Sequence, residues 1–148
     1  MSDRIEKSIT IKASPSRVWK ALTDHTQFST WFRAKIDRPF EEGKTSHGKV
    51  AIPGYEHLKF VVMVRKITPE TYFAYAWHPY PSDPDFDYSV EDPTLVEFTL
   101  TPTADGTLLK VVESGFGRIP AHRRPEAFRM NTGGWEGQIK NIKDYAES

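Results

Sequence analysis

Residues 128–146 read FRMNTGGWEGQIKNIKDYA, and their spacing decides the architecture. Trp135, Ile139, Ile142 and Ala146 are separated by steps of four, three and four, which is one face of an α-helix. Phe128 lies seven residues before Trp135 on the same face. Gly133-Gly134 interrupts the pattern, and each glycine costs about 1 kcal/mol relative to alanine in a helix interior. The pair has two readings. It permits a kink or close approach of helix to sheet, or it leaves room for a ligand under the helix. The packing reading is the expectation, because a glycine inside a helix usually has a packing cause.

Upstream of this helix the period changes to two. Residues 94–101 place Val96, Phe98 and Leu100 on one face and Glu97, Thr99 and Thr101 on the other. Asp105-Gly106 signals a hairpin turn, and 108–114 is the returning strand. Residues 72–77 alternate Phe73, Tyr75 and Trp77 against Tyr72, Ala74 and Ala76. Further strands are predicted over 58–67, 47–52 and 35–40, with a turn at Glu42-Gly43. At the other end, Ile5, Ile9 and Ile11 share one face of a strand over 5–11, with Lys7 on that face near a rim. Ser14-Pro15 then reads as an N-cap followed by proline at the first helical position. Val18, Trp19 and Leu22 stripe a short helix, and 26–32 forms a second with Phe28, Trp31 and Phe32 inward. A strand, two small helices, a run of strands and one long closing helix predict an α+β fold with an antiparallel sheet.

The 148 residues suit one domain, 1–148, large enough to bury a core. The chain has no cysteine. Cysteine-ligated zinc, iron–sulfur clusters and thiol catalysis are thereby excluded. Twenty Lys/Arg balance twenty Asp/Glu, which argues against a dedicated nucleic-acid binder. The N-terminal stretch MSDRIEKSIT carries charges and no apolar signal run, and 60–64 is the longest apolar stretch. A cytoplasmic protein with neither membrane nor nucleic-acid partner is expected.

The residues also resemble a known family. Ile9-Thr10-Ile11, Ala13, Pro15, Val18-Trp19, Ala21-Leu22-Thr23-Asp24 and Trp31-Phe32 are similar to the opening of the activator of 90-kDa-heat-shock-protein ATPase homologue group. That group belongs to the START/birch-pollen-allergen (SRPBCC) superfamily. The similarity runs on through Tyr75-Ala76-Trp77, Glu113-Ser114-Gly115-Phe116 and Gly134-Trp135 to Ile139, Ile142 and Tyr145. It implies a helix-grip fold: a curved antiparallel sheet of about six or seven strands wrapped round a long C-terminal helix, with a cavity between. Two local departures stand out. Glu41-Glu42-Gly43-Lys44 occupies the place of the family's Pro-Gly-Gly turn, and 79–93 is long for a connection between strands. A subgroup with such a loop bears a vanillate O-demethylase oxidoreductase name. That chemistry needs flavin, nicotinamide and a cysteine-bound cluster, and a chain without cysteine does not supply it.

Aromatic side chains either fill a core or line a pocket. With the cavity that the resemblance implies, the ligand-lining candidates are Trp31, Phe32, Tyr75, Trp77, Phe98, Phe116, Met130 and Trp135. The expected partner is a small apolar or aromatic molecule. A chaperone ATPase partner, or a cyclase- or hydratase-type enzyme activity, are the alternatives that the resemblance leaves open. No catalytic, phosphate-binding, dinucleotide or metal motif is present, so no cofactor is expected. Asp83, Asp85 and Asp87 begin with calcium-loop spacing, but Tyr88 and Thr94 stand where that loop needs glycine and glutamate. Arg118, His122, Arg123, Arg124 and Arg129 form a basic stretch that suits a solvated helix start, with an anionic ligand or the acidic loop of another chain as the functional alternatives. His78 and Glu113 are a conceivable acid–base pair, although nothing in the spacing brings them together.

Overall fold

The computed structural model describes residues 3–148; Met1 and Ser2 of the expected span lie outside the described residues. Ser14 accepts a hydrogen bond from the Arg17 amide and starts α1 (Pro15–Thr23), as the Ser-Pro pair predicts. Asp24 closes that helix and caps α2 (His25–Phe32) through the Thr26 amide. Before them lies β1 (Arg4–Ile11). After them come β2 (Ala34–Ile36), β3 (Thr45–Val50), β4 (Lys59–Thr68), β5 (Tyr72–Trp77), β6 (Thr94–Pro102) and β7 (Thr107–Ser114). The chain then forms α3 (Arg124–Glu147).

The strands make one seven-stranded antiparallel sheet in the order β1-β7-β6-β5-β4-β3-β2. Strands β2 to β7 follow one another as a meander. Helices α1 and α2 carry the chain from β1 at one edge to β2 at the other. The curved sheet holds α3 against its inner face, which is the helix-grip arrangement. Inner-face residues run in register across the strands: Phe60, Val62 and Val64 on β4, Phe73 and Tyr75 on β5, Val96, Phe98 and Leu100 on β6, Leu109 and Val111 on β7. Lys7 sits at the rim of that face, and its Nζ reaches Glu136 Oε1 on α3 at 3.2 Å.

Two expectations change. The strand predicted over 35–40 shortens to β2, because Pro39 offers no amide to a ladder and Phe40 instead tucks between Phe28 and Phe73 at 5.4 Å. The Gly133-Gly134 pair does not interrupt α3, which runs through both residues. Nor does it seat the helix closely on the sheet, since a Cβ built on either glycine meets no atom within 4 Å. No helix among the described residues is long and apolar enough to cross a membrane.

A carboxylate-tethered aromatic cavity

The site begins with strand alternation. Leu109, Val111 and Glu113 occupy the same face of β7, so period two delivers a carboxylate into an apolar row. Glu113 is fully buried, with 0% exposure. Its oxygens take two donors each. Trp77 Nε1 (2.7 Å) and Thr94 Oγ1 (2.6 Å) bond Oε2. Trp135 Nε1 (2.8 Å) and Asn131 Nδ2 (2.9 Å) bond Oε1. This fills the roughly four acceptor positions that a carboxylate offers. Among the described residues no cation is ion-paired with Glu113. Burial pushes its pKa up from the usual carboxylate value, while the four donors pull it back. Tyr75, with its hydroxyl buried and without a hydrogen-bond partner, feels the same carboxylate, and burial raises its pKa well above the ordinary phenol value.

The two tethered indoles lie 5.8 Å apart, tilted by 32°. They form the inner end of a partly open cavity of about 480 Å³, within the usual size range of small-molecule pockets. Phe32 on α2 and Phe60 on β4 pack edge-on against Trp77 at 6.2 and 5.9 Å. The turn between β3 and β4 adds Ile52, Tyr55 and Leu58. From α3 come Arg129, Met130, Gly133 and Gly134. His78, Tyr80 and Pro81 close one side from the segment after β5. The amides facing the cavity are already engaged: Asn131 on Glu113, and Gln138 on the Phe32 carbonyl at 2.8 Å. The glycines line this cavity, so the room they leave lies on its wall, and the reading of the pair as a close packing contact is corrected.

Of the sequence candidates, the structure brings Phe32, Trp77, Met130 and Trp135 together around the cavity. The other four lie elsewhere. Trp31 donates to the Ala21 carbonyl at 2.7 Å inside the α1–α2 packing. Tyr75 and Phe98 are buried in the sheet core, 6.0 Å from one another. Phe116 packs edge-on against Phe128 at 5.1 Å beyond the end of β7. These four are core rather than wall. For Tyr75 and Phe98, period two shows which face a residue takes but not how far along the sheet the helix covers it; Trp31 on α2 and Phe116 beyond β7 lie outside any strand alternation. Glu113 as a tether escaped the sequence reading. The signal was its place on the apolar row of β7.

His78 and Glu113 form no pair: all of Glu113's partners lie elsewhere. Burial lowers the His78 pKa, and the neighbouring Glu91 and Asp87 charges oppose that shift. Part of the basic stretch is used within the chain: Arg118 bonds the Pro93 carbonyl, and Arg124 those of Gly117 and Ile119. Arg123 is only 14% exposed and pairs with Glu91 (5% exposed) at 2.7 Å. Its Nη1 bonds the Pro79 carbonyl at 2.8 Å, and its guanidinium lies 4.8 Å from the Tyr88 ring centre. The loop between β5 and β6 is thus strapped to the start of α3. Asp83 and Asp87 spend their oxygens on local amides, at Asp85 and Ser89. No group of three metal-ligating side chains occurs among the described residues.

Fold and cavity together define a helix-grip protein of the SRPBCC type. The family model described as "Activator of Hsp90 ATPase homolog 1-like protein" matches residues 12–147, and the chain belongs to that family. Solved structures agree. The protein MLL2253 from Mesorhizobium loti superposes with a TM-score of 0.75 at 25% identity, over 96% of this chain and 95% of that one. The Aha1 dimer from Colwellia psychrerythraea gives 0.75 at 20% identity, over 99% and 97%. DynU16, a protein in the dynemicin biosynthetic locus, gives 0.76 at 21% identity over all of this chain, which spans only 48% of DynU16. Curated protein sequences include no match to this chain.

Proposed function

We propose that this protein binds a small, largely apolar ligand with an aromatic body in the cavity between sheet and α3. One observation carries the reading. Glu113 satisfies the polar edges of Trp77 and Trp135 from behind, which leaves two fixed indoles as the wall of an open space. A core that only needed filling would not leave about 480 Å³ beside them. Binding is driven by burial of ligand apolar surface, at about 25 cal/mol per Å². Indoles that are already oriented lose little entropy on binding.

The test is a titration followed by NMR of the four indole Nε1–H signals, with flavonoids, fatty acids, sterols and aromatic acids as the library. Trp77 and Trp135 shift on binding. Trp31, bonded to the Ala21 carbonyl, stays in place as an internal control. A library that moves neither Trp77 nor Trp135 defeats the proposal.

The family's name favours a second reading, an interaction with a heat-shock ATPase. Its check is the turnover of such an ATPase with and without stoichiometric amounts of this chain. Unchanged turnover removes it.

A further inference from the structure

Building on the ligand-binding reading above, we propose that the cavity selects a ligand bearing an anionic group, which sits at the mouth between Lys59, His78 and Arg129 while the aromatic body lies against the indoles. The chain has twenty Lys/Arg and twenty Asp/Glu, yet Lys59, His78 and Arg129 line this wall and no Asp or Glu does. The three bases come from the start of β4, the segment after β5 and α3, so the fold gathers them rather than a local basic run. The Lys59 side chain makes no hydrogen bond or ion pair among the described residues, and the Arg129 side chain has only a 4.0 Å approach to Glu126. His78 keeps its enclosed Nδ1 without a hydrogen-bond partner.

The nearby acids are accounted for. Glu113 is sealed behind the indoles with both oxygens doubly bonded. Glu91 is held by Arg123. Asp87 acts electrostatically on both His78 and Lys59 from the loop, Glu91 acts on His78 as well, and both oppose an incoming anion there. A low-dielectric wall beside a one-signed rim concentrates the field that an anion meets.

Two dyes of one skeleton test this: 1-anilinonaphthalene-8-sulfonate, which is anionic, and N-phenyl-1-naphthylamine, which is neutral. Both are expected to bind, and the neutral dye displaces the anionic one. The double variant Lys59→Met/Arg129→Met weakens the sulfonate about three- to tenfold, the size expected of two partly exposed charge contacts, and changes the neutral dye less than about twofold. Asp87→Asn tightens the sulfonate alone, and added salt weakens the sulfonate alone. The proposal is overturned if the double variant shifts both dyes equally or neither, or if the neutral dye fails to displace the sulfonate. If neither dye is held at all, the cavity-binding reading itself falls, and this one with it.

Discussion

Trp77 Nε1 donates to Glu113 Oε2 at 2.7 Å, although 36 residues separate them in the chain. The bond ties the end of β5 to β7 across β6, and Trp135 makes the matching bond from α3 to the other oxygen. A buried carboxylate therefore joins sheet to helix at the inner end of the cavity.

Glu113→Gln keeps the side-chain shape but turns one oxygen into an NH₂ that meets two donors. The variant is expected to lose about 2–4 kcal/mol of unfolding free energy in urea. The loss depends on pH. Burial raises the folded-state pKa of Glu113 above its unfolded value near 4.5, so the folded state holds the proton longer. That contribution is complete below the unfolded pKa and is lost as pH rises through the folded one. The margin of the natural protein over the variant therefore narrows with rising pH. A margin that widens would refute the assignment.

Tyr75→Phe removes a buried hydroxyl that has no hydrogen-bond partner and lies near the Glu113 charge. The substitution is expected to stabilise the protein by about 1 kcal/mol, read from the urea midpoint at unchanged slope. A clear destabilisation would mean that the hydroxyl is bonded in solution.

Gly134→Ala should separate stability from binding. A methyl group here meets open space, so the helix gains about 1 kcal/mol and the melting temperature rises by about 3 °C. The same methyl intrudes on the cavity wall, and affinity for N-phenyl-1-naphthylamine falls several-fold. Unaltered dye affinity would show that the glycine leaves no room a ligand uses.

Arg123→Gln leaves Glu91 buried without its cation and frees the Pro79 carbonyl. A stability loss of about 3 kcal/mol is expected. Hydrogen exchange should also quicken across 79–92 while β6 and β7 stay protected. Uniformly faster exchange would instead mark a global effect without a strap.

Much of the fold was legible because it rests on local periodicity. The even spacing of β5 and β6 and the four-three-four stripe of α3 each report one buried face, and Ser14-Pro15 reports a cap. The end of β2 was misjudged because Pro39 acts through a missing amide that a propensity reading of 35–40 passes over. Phe32, Trp77, Met130 and Trp135 line the cavity from the end of α2, the end of β5 and the Gly-Trp region of α3. Tyr75 and Phe98 pack within the sheet core, Trp31 between α1 and α2, and Phe116 against Phe128, contacts that spacing along the chain does not reveal.

The sequence by itself determined faces: which side turns inward for the strands over 5–11, 72–77 and 94–101 and for the helices, and that a long α-helix follows the strands. Only the tertiary structure decided depth along those faces, and with it which aromatics pack and which stand beside open space. It also decided that Glu113 lies among donors from β5, β6 and α3, and that Glu91 and Arg123 meet within one molecule. Periodicity is a property of neighbours in the chain. A cavity and a shared carboxylate are properties of segments dozens of residues apart, brought together by sheet register and by the angle at which the last helix crosses it.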